Sequence, residues 1–141
     1  MKYSSSVALT APVDVVRPYI CDLAKYPQWM PLVYSATPSG DDAWDVELRA
    51  KVGVFARSKR LRMRRTVDTD SMFVFEREET DGRRHSPWLM RVSLTPSDAG
   101  SMVTIDLSYG GNLWTAGVLD RVLASHVDAG KKGLAELVHG A

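Results

Sequence analysis

We expect no internal disulfide, no membrane span and no leader peptide, because the sequence lacks the signals for them. The only cysteine, Cys21, excludes an internal disulfide and is ordinary for a reducing compartment. No apolar run approaches the roughly 18 residues that a transmembrane helix needs. The first residues, Met1 to Ser6, lack the apolar core of a signal peptide. These absences predict a cytoplasmic protein without integral membrane association.

Net charge is also nearly absent, because 18 basic residues face 17 acidic ones and leave a formal charge of +1. Such a balance gives no bulk attraction for nucleic acid or for an anionic membrane. The one basic run, residues 57–65, alternates in the manner of a strand. The predicted pairing sets Glu47 opposite Arg62 and Asp45 opposite Arg64, and such pairs contribute about 0.2–1 kcal/mol each. We therefore interpret the run as a solvated strand face and expect no nucleic-acid partner.

Catalytic and metal-binding signatures are missing as well. Three scattered histidines and one distant cysteine do not have the spacing of metal ligands. No Ser-His-Asp arrangement and no glycine-rich phosphate loop is recognisable. We predict no metal and no cofactor, so any chemistry has to be inferred from a cavity rather than from a motif.

What the sequence does contain is a hydrophobic period that changes along the chain. Residues 3–9 alternate as a first strand, and residues 12–22 and 22–31 predict two short helices with prolines near their ends. Residues 32–109 have a period of two, whereas residues 112–138 have the period of a helix. This order predicts an α+β fold with an antiparallel sheet and a long C-terminal helix.

The turn signals within the sheet region agree on a common apolar face. Asp81-Gly82 predicts a two-residue hairpin that sets Phe75 opposite Trp88, and a later turn sets Trp88 opposite Tyr109. One predicted layer across the sheet reads Tyr34, Val46, Met63, Phe75, Trp88 and Tyr109, and the next reads Ala36, Trp44, Arg65, Phe73, Met90 and Leu107. A slip of one residue would invert the face, so the agreement predicts a meander with one dry side.

The C-terminal helix is the only element long enough to cover that dry side. Its apolar stripe contains Leu119, Val122, Leu123, Leu134 and Leu137, with His126, Gly130 and Gly133 near the centre. Each interior glycine costs about 0.5–1 kcal/mol relative to alanine. Such a helix either leaves space or is approached closely, and we expect a hollow between helix and sheet.

Three short motifs connect this layout with a known superfamily. They are Ala11-Pro12-Val13-Asp14, then Asp22-Leu23 with Tyr26-Pro27 and Trp29, and Tyr109-Gly110-Gly111. The chain resembles the helix-grip superfamily, also called START-like or SRPBCC, and within it the polyketide cyclase/dehydrase-type branch. The resemblance implies a single helix-grip domain over residues 1–141, in which a curved antiparallel sheet and two short helices wrap around the long C-terminal helix. It also implies an apolar small molecule, lipid or polyketide held between sheet and helix.

The dry face has the composition of a ligand pocket, because aromatic and apolar groups dominate and a few polar groups join them. Arg65 and Arg77 point to this face with no acidic strand residue beside them. They either stack and reach water at the rim, or one of them anchors an acidic group of a ligand. The candidate ligand-binding residues are Tyr34, Trp44, Met63, Arg65, Phe73, Phe75, Arg77, Trp88, Met90, Tyr109, Leu119, Leu123 and His126.

Three functions remain open. The first is binding of a hydrophobic, aromatic or polycyclic molecule with one acidic group. The second is a polyketide cyclase/dehydrase-type enzyme, in which Arg65 or Tyr109 polarises an enolate and His126 moves a proton. The third is a protein-interaction module with a filled core, whose partner the sequence does not identify.

Overall fold

Seven strands, two short helical segments and one long helix make up the fold. The computed structural model describes residues 2–52, 55–110 and 116–139, with side chains for residues 2–51, 56–110, 121 and 124–139. In chain order the elements are β1 (Lys2–Leu9), α1 (Val13–Ile20), a 3₁₀ helix (Leu23–Gln28), β2 (Val33–Pro38), β3 (Ala43–Val52), β4 (Phe55–Asp68), β5 (Met72–Arg77), β6 (Trp88–Ser97), β7 (Gly100–Tyr109) and α2 (Ala116–His139).

All seven strands belong to one antiparallel sheet with the order β1-β7-β6-β5-β4-β3-β2. The sheet curls, so that α2 contacts β1 at one edge and β3 near the other, and α2 also contacts α1. The buried side chains of the strands lie on the concave side that faces the helices. The predicted α+β helix-grip architecture is confirmed.

The predicted strand registers are confirmed in part. The β6–β7 register is as expected, with Trp88 opposite Tyr109. The β5–β6 register differs by two residues, since Phe75 pairs with Met90. The reason is that residues 78–87 connect these strands, rather than a two-residue turn. The β3–β4 register and the start of the β4–β5 register also differ by two, and an even shift leaves every side chain on its predicted face.

Tyr34 is the exception, because its predicted place on the dry face is wrong. The β2–β3 pairing shifts between Val33 and Ser35, and this bulge turns Tyr34 to the convex side. Tyr34 is 55% exposed. The guanidinium carbon of Arg49 lies 3.4 Å from its ring centroid, a cation–π contact at the surface.

The 3₁₀ helix fills one end of the concave side with aromatic side chains. The Tyr26 hydroxyl donates to the Ile20 carbonyl over 2.7 Å, so the polar end of this buried ring is satisfied. The Tyr26 ring lies 4.7 Å from Trp29 and 6.0 Å from Phe75, measured between ring centroids. Trp44 packs on Phe75 from the other side at 5.8 Å. This end of the interior is closely packed.

Helix α2 approaches the segment after the 3₁₀ helix through its two glycines. A Cβ atom on Gly133 would lie 2.6 Å from the Trp29 carbonyl oxygen, whereas one on Gly130 would lie 3.6 Å from Met30. Val127, Leu134 and Val138 are buried on the same side of the helix. The glycines therefore permit the backbone at Trp29 and Met30 to approach the helix closely. Of the two alternatives that the sequence allowed, a hollow or a close approach, this is the second. The expectation that they leave a hollow is wrong.

We predict that Gly133→Ala and Gly130→Ala have opposite effects on stability. Alanine raises helix propensity at both positions by about 0.5–1 kcal/mol. At position 133 the collision with the Trp29 carbonyl outweighs this gain, and we expect a net loss of about 1–3 kcal/mol. Urea denaturation of the two variants measures the difference. Equal stability of both would contradict the close approach.

Candidate functional site

An apolar cavity lies on the concave side, at the end away from the packed aromatic rings. Its volume is about 40 Å³. Its lining side chains come from the 3₁₀ helix, the segment after it and five strands: Leu23, Met30, Leu32, Val33, Val46, Leu48, Leu61, Met63, Trp88, Met90 and Leu107. Ligand pockets typically measure roughly 300–1,000 Å³. The cavity is therefore too small for a ligand of that kind unless its wall moves.

Three of the lining side chains are methionines: Met30, Met63 and Met90. A methionine has three rotatable bonds and a polarisable thioether, so it fills irregular space and rearranges at low cost. A wall of this kind can yield to a bound molecule more readily than a wall of β-branched residues.

Trp88 supplies the one polar atom that is notable in this wall. Its ring stacks on Tyr109 with 5.1 Å between centroids. Its Nε1 is buried and has no hydrogen-bond partner among the described residues. A buried donor without a partner costs about 1–3 kcal/mol, so this nitrogen is a place where an added hydrogen-bond acceptor would be stabilising.

The predicted ligand-binding residues fall into several groups. Met63, Trp88 and Met90 line the cavity, and Tyr109 stands behind Trp88. Trp44, Phe73 and Phe75 are buried in the core cluster and do not line the cavity. The side chains of Leu119 and Leu123 lie outside the described residues. Sequence reasoning missed Leu48 and Leu61 as wall residues, although the alternation of side chains along β3 and β4 places both on the dry face.

Arg65 occupies the far end of the concave side, where it has protein partners. One guanidinium nitrogen donates to the Cys21 carbonyl and another to Asp42 Oδ1, both at 2.6 Å. Asp68 lies 3.5 Å away. The expectation that no acidic strand residue lies beside Arg65 is therefore wrong for Asp68, the last residue of β4. Asp42 lies in the β2–β3 turn, which the strand pattern did not cover. The guanidinium also stacks over Trp44, with 5.7 Å to the ring centroid.

Arg77 also has an acidic partner that the strand pattern did not reveal. Its side chain is only 8% exposed, and its Nε donates to Glu79 Oε1 over 2.9 Å. The Ser86 carbonyl and His85 Nδ1 lie 3.2 Å from the other guanidinium nitrogens. Burial opposes ionisation of Glu79, but bonds from the Arg62 amide and Arg77 outweigh it and lower the pKa of its carboxyl. Arg77 stands opposite Met63 and Arg65 opposite Phe75, so the two arginines are diagonal neighbours on adjacent strands, and each is held by carboxylates of its own.

Lys59 stands beside Arg77 and was not among the predicted residues. It pairs with Leu48 and alternates with Leu61, so it belongs to the same face as two wall residues. No hydrogen bond or ion pair holds its side chain to the described part of the chain. Burial and the charge of Arg77 lower the pKa of the Lys59 ammonium, while Glu79 acts in the other direction.

His126 lies outside the apolar cavity. It lines an open groove of about 710 Å³ between the β3–β4 hairpin and α2, together with Arg49, Ala50, Lys51, Ala56, Arg121 and Ser125. Burial lowers the pKa of its imidazole. The three candidate catalytic residues therefore have three different surroundings: His126 in this groove, Arg65 beside Cys21, and Tyr109 against Trp88.

The wet face has the charge pairing that its alternation predicts, with different partners. Glu47 stands opposite Arg60, which it contacts at 3.1 Å, and Asp45 stands opposite Arg62. Among residues 2–52, 55–110 and 116–139, no group of three His, Cys, Asp or Glu side chains could hold a metal ion. None of the described helices combines the length and hydropathy that crossing a bilayer requires.

Comparison with known proteins agrees with this architecture. The family described as "Polyketide cyclase / dehydrase and lipid transport" matches residues 1–139. No curated protein matches the chain. A START superfamily protein from Mycobacterium smegmatis has a similar structure, with a TM-score of 0.76 and 14% identity over 99% of this chain and 97% of its own.

Two further solved structures share the fold at similarly low identity. The Zhui aromatase/cyclase from Streptomyces sp. R1128 has a TM-score of 0.67 and 16% identity over 99% of this chain and 93% of its own. A conserved protein from Geobacillus kaustophilus has a TM-score of 0.78 and 15% identity over 99% and 96%. Likeness at this level of identity shows the fold alone.

We predict that Arg65→Met lowers stability without changing ligand affinity. The substitution leaves the Cys21 carbonyl and the Asp42 carboxylate without their donor, and a loss of about 1–3 kcal/mol is expected. Urea denaturation gives the stability, and titration with a fluorescent apolar probe gives the affinity. A loss of affinity with stability unchanged would instead make Arg65 a ligand anchor.

Proposed function

Because the chain belongs to the polyketide cyclase/dehydrase and lipid-transport family, we propose that it binds a hydrophobic small molecule, aromatic or polycyclic, between the sheet and α2. The observation that carries this proposal is the cavity wall, which is apolar throughout its described part. The Trp88 indole adds one donor that has no partner in the described part of the chain. Apolar contact would supply affinity, and this donor would orient the ligand.

The small volume of the cavity requires the wall to move when a ligand enters. The three methionines provide the adaptable part of the wall. Leu48 lines the cavity, and Ala50, two residues further on the same face of β3, lines the open groove beside α2. Rotation of side chains near Leu48 would join the two spaces and give a ligand a route of entry.

An enzyme of the cyclase/dehydrase type is the second candidate. The similarity of the fold to an aromatase/cyclase supports it. The geometry favours binding over catalysis, because neither Arg65 nor His126 is among the side chains that line the apolar cavity. Turnover of a polyketide mimic that is lost in His126→Ala, with folding intact, would favour the enzyme.

The third candidate is a protein-interaction module, and a filled core that admits no ligand would favour it.

We predict that the protein binds the neutral probe N-phenyl-1-naphthylamine and that Leu61→Phe weakens this binding at least tenfold. Leu61 lines the cavity, so a phenyl ring there takes the space that the probe needs. Leu89→Phe is the matched control, because Leu89 makes the same change on the convex face of β6. Probe fluorescence measures the affinity, and circular dichroism checks that both variants fold.

Two results would count against this assignment. Failure of the unsubstituted protein to bind the probe at any concentration below its solubility would favour a filled core. Equal loss of affinity in Leu61→Phe and Leu89→Phe would place the probe elsewhere on the molecule.

A further inference from the structure

The two ends of the concave sheet face differ in charge. Arg65 and Lys59 are six residues apart on the same side of β4, which separates them by about 20 Å. At the Arg65 end, Asp42 and Asp68 supply two carboxylates for one guanidinium. Arg77, which stands opposite Met63 between them, bonds to one carboxylate among the described residues, that of Glu79. Arg65 therefore has two carboxylate partners of its own, whereas Arg77 has one and Lys59 has no ion pair in the described part of the chain.

The acidic and titratable groups around Arg77 have other partners and form no ion pair with Lys59. Glu79 accepts from the Arg77 guanidinium and, at 3.0 Å, from the Arg62 amide. His85, the other titratable neighbour of Arg77, is already held by Asp81 at 2.9 Å. The Lys59 side chain thus lies partly buried on the same side of β4 as Leu61 and Met63, within range of the charges of both Arg77 and Glu79, and no ion pair holds it in the described part of the molecule.

Lys59 is also placed where a ligand in the cavity would end. Its pairing partner Leu48 and its neighbour on the same face, Leu61, both line the cavity. Arg77 stands opposite Met63, a third wall residue. The indole nitrogen of Trp88, which has no hydrogen-bond partner among the described residues, belongs to the first residue of β6, next to β5 in the sheet. Lys59 and Arg77 therefore each adjoin residues of the cavity wall, and Trp88 is itself part of that wall.

We propose that Lys59 binds the anionic oxygen group of an amphipathic ligand whose apolar body occupies the cavity. The inference rests on the proposed function and adds the chemical class of the ligand to it. An anionic group at this point would pair the ammonium and remove its repulsion with Arg77, and a charge-assisted bond in a partly dry site is stronger than one in water. Carboxylate, sulfonate and phosphate share this chemistry, because an ammonium acts as a point charge.

Two fluorescent probes that differ in one group test the proposal. 1-Anilinonaphthalene-8-sulfonate is N-phenyl-1-naphthylamine with an added sulfonate, so their affinity ratio isolates the anion. We expect Lys59→Met to weaken binding of the sulfonate about tenfold and to leave the neutral probe unchanged. Lys59→Arg, which keeps the charge, should retain most of the sulfonate affinity.

Arg60→Met is the matched control. It removes the same charge from the next residue of β4, whose side chain is 85% exposed on the convex face beside Glu47. We expect no change for either probe. If Arg60→Met weakens sulfonate binding as much as Lys59→Met does, the effect is one of net charge and the proposal is wrong.

Displacement of the neutral probe separates the natural sources of such an anion. Dodecanoate and dodecyl phosphate should displace it better than dodecanol, and Lys59→Met should abolish that preference. The stronger of the two anions then indicates a carboxylic acid or a phosphate ester. Equal displacement by all three overturns the role of Lys59, whereas failure of the neutral probe to bind would overturn the proposed function itself.

Discussion

One continuous apolar sheet face has to be covered, and the cover determines what the protein can do. Three helical elements share this work: α1, the 3₁₀ helix and α2. At one end, Tyr26 packs between Trp29 and Phe75. The close fit of α2 to Trp29, made through Gly133, fixes the helix over this end. The cavity lies at the other end, where methionine and leucine make up most of the wall.

The charged side chains on this face also differ between its two ends. Arg65 lies at the packed end, where it bonds to the Cys21 carbonyl and to Asp42 in the β2–β3 turn. Its charge is neutralised by the protein, so it is part of the framework. Lys59 alternates on β4 with the wall residue Leu61, and it has no ion pair in the described part of the chain. The proposed anionic group of the ligand would supply the charge that the protein does not provide there.

Sequence reasoning could predict the faces of the strands but not all of their partners. Period-two alternation survives an even error in register, so Met63, Trp88 and Met90 were assigned to the correct face although the β4–β5 and β5–β6 pairings shifted. A bulge breaks that alternation without a signal in the sequence, and Tyr34 was misplaced for this reason. The partner of Arg65 comes from a turn, where strand patterns carry no information. Lys59 alternates with Leu61 and could therefore have been assigned to the dry face of β4. It was overlooked because it belongs to the basic run of residues 57–65, which was interpreted as a solvated strand face.

The central claim is that the apolar space between sheet and α2 opens to a ligand, and methyl NMR of methionine tests it most directly. The chain has 6 methionines, and Met30, Met63 and Met90 line the cavity whereas Met72 and Met102 do not. With ¹³C-methyl methionine, the account predicts that N-phenyl-1-naphthylamine shifts the signals of the three lining residues and gives nuclear Overhauser effects to them. Shifts confined to Met72 or Met102, or no shift at saturating probe, would contradict it.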